Sequence, residues 1–185
     1  MNHDEFSAQD NADLLFQIMG ETGALGRGNV TGFFRVSKNW TCPACARSKP
    51  EIARLDRNGN LLCAIPEHHD HFADFAYDRL RRVMGPSHRA VALLPSLERF
   101  PRTYICNDCN VADPAAKSVV FAPACFSFTP FEIATFVRVA NNCAHVLISE
   151  NVIAAYESAK KSMELLARRL RHLEANEAEN LDRPE

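Results

Sequence analysis

CPAC, residues 42–45, and CNDC, residues 106–109, are the stretches on which a reading of the fold turns. Each pair can close into a tight turn that offers two thiolates. Together Cys42, Cys45, Cys106 and Cys109 complete a tetrahedral four-sulfur set, which suits zinc. A closed shell of four thiolates leaves no position for water, so such an ion holds structure and does not activate a nucleophile. The cysteines number seven. The N-terminus MNHDEFSAQD is acidic and polar, unlike a secretory signal, so the paired spacing reads as metal coordination rather than as disulfides. Cys63, Cys125 and Cys143 sit among apolar neighbours and read as buried thiols.

The remaining composition bounds the answer. A chain of 185 residues, 46% hydrophobic, makes one sizeable domain or a small domain with appendages. No apolar run approaches the ~18 residues of a membrane span, so no membrane partner and a cytoplasmic location are expected. Net charge is −2, but it is unevenly spread. Residues 20–173 hold 20 Lys/Arg against 14 Asp/Glu, while the two ends are acidic. A basic body fits a polyanionic partner, and it also occurs without one.

Along the chain, residues 8–19 have helical spacing, with Ser7 as N-cap and Gly20 as stop. Five of the seven glycines follow between Gly20 and Gly32. With no GK[ST], this segment is a connector or a backbone surface for phosphate, not a Walker A loop. FFRVSKNW (33–40) reads as a short strand. Asn58-Gly59 between two apolar segments predicts a type I′ hairpin. Phe72, Phe75, Ala76, Leu80 and Val83 put one apolar face on a helix over 72–84, ended by Gly85-Pro86. Residues 87–101 read as irregular, and TYI (103–105) as a strand. Asp113 and Pro114 read as the cap and first position of a helix. Thr129, Pro130 and Glu132 form a capping box. A last helix runs from about Ser149 to about Glu174. Its apolar spacing allows packing on the body or a homodimer contact, and its Lys160, Lys161, Arg168, Arg169 and Arg171 form either a solvated face or a DNA-backbone contact. The tail after Glu174 reads as frayed.

Between the cysteine pairs the apolar run LLCAIP leads into EHHDH, residues 67–71. The order is CxxC, a hairpin ending in Asp70-His71, CxxC followed at once by Asn110, then Lys117. Over residues 40–118 this resembles the HNH endonucleases of the ββα-metal (His-Me finger) class, in the subgroup braced by four cysteines. The resemblance implies an α+β fold with a small ββα-metal core braced by the zinc site, plus extra N- and C-terminal helices. It implies that His71 is the general base for the attacking water and that Asp70 and Asn110 hold one catalytic Mg²⁺ or Mn²⁺. The chemistry is consistent. An imidazole with an ordinary pKa near ~6.5 accepts a proton at neutral pH. A carboxylate and an amide oxygen are hard ligands suited to such ions. The metal would stabilise charge on the scissile phosphate and the leaving oxygen.

The chain departs from that pattern in two places. The family's middle Asn is missing, since FPRTYIC (100–106) contains none. The stretch from His71 to Cys106 is also longer than in compact members and holds a helix. His68 and His69 are extra, and each could bind metal, contact phosphate or lie at the surface. Arg47, Arg82, Arg102 and Lys117 are the leading cations for double-stranded DNA, with mostly sequence-independent, salt-sensitive affinity. Lys117 stands out because the family carries a Lys near that place. The expected organisation is an N-terminal helix and connector (1–32), the HNH-like domain (33–124, with the helical insertion at 72–84), a C-terminal helical segment (125–174) and an acidic tail (175–185). The function expected is a metal-dependent DNA endonuclease. The competing readings are a catalytically silent zinc module for nucleic acid or a protein partner, and a nuclease subunit active only in a complex.

Overall fold

The computed structural model describes residues 8–85 and 88–181, so Ser7, Pro86 and the last four residues lie outside it. The architecture is mixed α+β. Helices predominate, and the strands are short.

Helix α1 (Ala8–Thr22) buries Asn11, Leu15 and Ile18. It runs through Gly20 and ends instead at Gly23. That residue takes φ +69°, and the next amide, Ala24 N–H, reaches back to Met19 O at 2.9 Å. A left-handed glycine closed by such a backward bond is a standard helix stop. Strand β1 (Gly26–Arg27) then pairs in parallel with β3 (Asn60–Leu62), and β2 (Arg54–Leu55) pairs antiparallel on its other side. The β2–β3 turn differs from the expected type I′ form. Of its residues only Gly59 has positive φ, and the turn is closed by Gly59 N–H to Asp56 O at 3.0 Å. Asp56 Oδ1 also accepts from the amides of Asn58 at 2.8 Å and Asn60 at 2.9 Å. An acidic side chain thus caps the turn, and Asn58 is spared the left-handed region.

FFRVSKNW forms no strand. Phe33–Arg35 is a 3₁₀ turn, and the carbonyls of Phe33 and Val36 turn inward onto the Lys49 ammonium, at 2.8 and 3.1 Å. A short helix, α2 (Lys49–Ile52), follows the first cysteine pair, started by a Ser48/Glu51 capping box.

Strand β4 (Glu67–His68) pairs antiparallel with β5 (Thr103–Tyr104), Glu67 opposite Tyr104 and His68 opposite Thr103. Two helices lie between them: α3 (His71–Met84), which buries Phe72, Ala76 and Leu80, and α4 (His88–Leu93), followed by a 3₁₀ turn. The stretch read as irregular is therefore largely helical. Helix α5 (Asn107–Val119) begins directly at the second cysteine pair, seven residues before the expected start at Pro114 with Asp113 as cap, because the Cys106 sulfur caps it. Pro114 is tolerated inside that helix.

The predicted box at Thr129 starts α6 (Pro130–Phe136). A hairpin of β6 (Val137–Arg138) and β7 (Val146–Leu147) comes next. Helix α7 (Ser149–Leu181) packs on α3, α5 and α6. It does not fray at Glu174. Arg79 grips Glu174 through two bonds of 2.7 and 2.9 Å, and Arg89 reaches Glu177 at 2.8 Å. The helix continues through Leu181. Among the described residues no helix is long and apolar enough to cross a membrane.

The main core holds Leu15, Phe33, Ile65, Ile105, Phe126, Phe128, Phe136 and Val152, together with the four paired cysteines. A second core under α3, α4 and α7 contains Phe72, Leu80, Leu97 and Leu170.

Candidate metal centre and the adjoining histidine cluster

The four sulfurs of Cys42, Cys45, Cys106 and Cys109 all lie within 4.8 Å of one another, a group that could hold a metal ion such as zinc. Local backbone explains the first pair. Ala46 sits in the left-handed region at φ +59°, its amide bonds Cys42 O at 2.8 Å, and Cys42 N–H bonds Arg47 O at 2.8 Å. The second pair is the first turn of α5, where the Cys106 sulfur accepts the Cys109 amide at 3.5 Å. The donor set fits: four soft sulfurs, buried, at mutual distances one ion can span. Hydrogen bonds among the four thiols lower Cys45 and Cys42 and raise Cys106 and Cys109. A metal needs all four as thiolates, and its charge would have to replace those shared protons.

Arg47 was expected to face nucleic acid, but its side chain is only 2% exposed. The structure places it behind the sulfurs. Its Nε lies 3.4 Å from Cys45 Sγ and one Nη 3.5 Å from Cys106 Sγ. The guanidinium also bonds Asp108 at 2.7 Å, Ala140 O at 2.8 Å and Cys143 O at 3.1 Å. Asp108 in turn pairs with Arg54. Burial works against the Arg47 charge, and the bonds to Asp108 and the two sulfurs outweigh it. His145 completes this layer, its Nε2 at 3.3 Å from Cys109 Sγ and 3.2 Å from Arg47. Its Nδ1 is buried with no hydrogen-bond partner. No spacing in the sequence marks His145, which comes from the β6–β7 connection.

The EHHDH segment spans the end of β4 and the start of α3, and its residues diverge sharply in environment. His68 is buried, stacks on Phe100 with centroids 5.0 Å apart, and bonds Phe128 O at 2.8 Å through Nε2. Desolvation lowers its affinity for a second proton. Asp70 is 2% exposed and is the N-cap of α3. One carboxylate oxygen accepts the Phe72 amide at 3.0 Å, the other the Arg99 amide at 2.8 Å. Burial pushes the Asp70 carboxyl up, against those two bonds. His71 and His69 lie side by side, ring centroids 5.0 Å apart, and both are partly exposed.

Helix α5 presents Asn110, Asp113 and Lys117 at i, i+3 and i+7, one stripe of the helix. The structure brings the Lys117 end of that stripe to the histidines. Lys117 Nζ lies 3.4 Å from His71 Nδ1, 2.9 Å from Asp113 Oδ2 and 3.0 Å from Phe126 O. Asp113, missed as a site residue, also accepts the Phe128 amide at 2.7 Å. Asn110 is half-buried one turn earlier. Among the described residues no hydrogen bond joins it to Asp70 or His71. Two further residues brace the segment, Ser127, which carries no signal in the sequence, and Arg99, read there only as a cation for DNA. Ser127 Oγ accepts the His71 amide at 3.2 Å, and Arg99 donates to Ser127 O at 2.7 Å and pairs with Glu132.

Of the other expected cations, Arg102 is exposed but engaged with Glu67 at 3.0 Å and Asp74 at 3.3 Å. Arg82 is exposed on α3. Compared with protein-family models, curated proteins and solved structures, the chain matches none.

Proposed function

We propose that this protein is a zinc-braced, metal-dependent endonuclease of the HNH type, hydrolysing phosphodiester bonds in DNA. The observation that carries the reading is the meeting of the EHHDH segment with α5, at the 3.4 Å approach of Lys117 to His71. The antiparallel pairing of β4 with β5, with α5 following β5 directly, supports it, and the sulfur cluster at the start of α5 would fix that helix. In this reading Cys42, Cys45, Cys106 and Cys109 hold a structural zinc. Asp70 and Asn110 would hold a Mg²⁺ or Mn²⁺, which supplies charge neutralisation at the phosphate. Asp70 can do so only through lone pairs left over from capping α3. An imidazole of the EHHDH segment takes the proton of the attacking water, a task the resemblance gives to His71. Arg82 and Arg102 lie on the outer surface, where duplex phosphates can reach them.

A supercoiled plasmid incubated with zinc-loaded protein tests this. Nicking that needs Mg²⁺ or Mn²⁺ and stops with EDTA is the expected result. A protein that binds duplex DNA yet cleaves neither duplex, single strand nor RNA with any divalent ion would replace the reading with the second one, a zinc-braced binding module. The engagement of both Asp70 oxygens by backbone amides favours that alternative. Elemental analysis should find about one zinc per chain.

A further inference from the structure

Three consecutive residues between α5 and α6, Phe126, Ser127 and Phe128, are all buried. The two rings pack edge-on against each other, centroids 4.8 Å apart, and both meet Tyr156 of α7. Rings two positions apart on one side of the chain leave the side chain between them to the other side. There Ser127 Oγ accepts the His71 amide at 3.2 Å. The backbone around it reaches four more groups of the site. Phe126 O accepts from Lys117 at 3.0 Å and Ser127 O from Arg99 at 2.7 Å. Phe128 N–H donates to Asp113 at 2.7 Å, and Phe128 O meets His68 Nε2 at 2.8 Å. Residues 126–128 thus tie the EHHDH segment to α5.

The bond to His71 answers a specific need. His71 is the first residue of α3, and an amide at that position has no carbonyl within its own helix to bond. The Asp70 cap does not serve it, because its two oxygens take the amides of Phe72 and Arg99. The backbone from which the His71 imidazole projects is held instead by a hydroxyl 56 residues away in the chain. Ser127 is held in turn. The Arg99 side chain, only 6% exposed, bonds the Ser127 carbonyl, lies over the Phe126 ring at 5.0 Å and pairs with Glu132. The other Glu132 oxygen accepts the Thr129 amide at 2.8 Å, inside the capping box of α6. A planar guanidinium is a pre-organised fork for such a pair of acceptors.

We propose that residues 126–128 are the positioning strut of the catalytic site, with Ser127 setting the direction of His71 and Arg99 locking Ser127 to α6. The proposal rests on the phosphodiester reading and deepens it. Ser127 is fully buried and Arg99 is spent on protein acceptors, so neither touches substrate and both act through His71. The segment after residue 124, read in sequence as separate from the HNH-like domain, then belongs to the catalytic unit.

Two measurements on the full zinc-loaded chain test this. Ser127→Ala removes one oxygen and leaves every backbone bond of the strut in place. Amide hydrogen exchange followed by NMR should show the His71 amide exchanging about tenfold faster in that variant, the net worth of one hydrogen bond. Ala76 and Leu80 of the same helix should keep their rates. In plasmid nicking, Ser127→Ala should lose about 10- to 10²-fold in kcat with KM little changed, as a displaced catalytic group would cause. Arg99→Met should repeat that pattern, and Arg99→Lys, which keeps a donor for the Ser127 carbonyl, should recover part of it. A merely structural role predicts a lower melting temperature with kcat per folded molecule unchanged. Unchanged exchange of the His71 amide in Ser127→Ala, or faster exchange with wild-type kcat, overturns the proposal. Wild-type protein that cuts no nucleic acid removes the nuclease reading instead, and the exchange rates then decide by themselves whether Ser127 holds the first turn of α3.

Discussion

Replacing Asp108 by Ala should show how strongly the sulfur cluster depends on the charges behind it. Asp108 and Arg47 have side chains 4% and 2% exposed, joined at 2.7 Å. Removing the carboxylate leaves the Arg47 guanidinium buried without the carboxylate that bonds it among the described residues. The two carbonyls it also bonds are neutral, and the two sulfurs at 3.4 and 3.5 Å share their negative charge with the metal and balance only part of the guanidinium's. Arg54, the other partner, is 26% exposed and can turn to water, so its share of the loss is small. Breaking a buried pair from one side costs about 3–5 kcal/mol, a large part of the ~5–15 kcal/mol that holds a domain together. Urea unfolding of zinc-loaded Asp108→Ala should show a loss in that range. Arg47→Met combined with Asp108→Leu should recover part of it but not all, since Ala140 O and Cys143 O lose their donor, at about 1–3 kcal/mol for each group left unpaired. With the single variants Arg47→Met and Asp108→Leu added, the four corners of a cycle give the coupling directly. A loss below about 1 kcal/mol in Asp108→Ala, with zinc content intact, would refute the claim that Arg47 is held charged by this pair.

Three further outcomes follow from other parts of the fold. Cys106→Ser should lower zinc content and destabilise the protein severely, since Cys106 also caps α5, and chelation of the wild type should mimic it. Lys49 is fully buried, and burial lowers its pKa to about 8, while burial raises the Cys63 thiol to about 12. For Lys49 the folded value lies below the unfolded one, so between pH 8 and pH 9 the unfolded chain binds more protons and stability should rise with pH. Above the ordinary thiol range Cys63 works the other way, because the folded chain keeps a proton the unfolded chain has lost. Lys49→Met should flatten the rise in pH-dependent melting. Gly32→Ala should lose at least ~2 kcal/mol on chemical denaturation, because a Cβ there would stand 1.9 Å from Ile65 O at a backbone φ of +75°.

The parts of this protein legible in sequence are those whose physics is local. The two CxxC pairs announce a sulfur cluster because two cysteines three apart can turn back to offer both thiolates to one ion. The Thr129 box, the apolar stripe of α3 and the strand leading into the second knuckle are likewise local. Where the reading failed, either a stronger signal lay a few residues away or a distant partner had changed the local balance. Gly20 does not stop α1 because Gly23 offers a better-closed end. Asp113 and Pro114 do not start α5, because a cysteine of the cluster already caps it. The segment 33–40 gives its carbonyls to a lysine rather than to a neighbouring strand.

The candidate site divides along the same line. From sequence alone EHHDH is a group of proton-transfer and ligand side chains, ordered by resemblance into a metal ligand and a base. Tertiary structure turns Asp70 into a helix cap, buries His68 against Phe100, and sets His69 and His71 beside each other under different partners. Arg47 reads as a surface cation until the β6–β7 connection closes over it. A sequence fixes which groups are present and which neighbours a turn or helix brings within reach. Which charge is buried and what covers it depend on residues tens of positions away, as Arg47 does on Asp108 and Ala140, and only the folded chain brings those together.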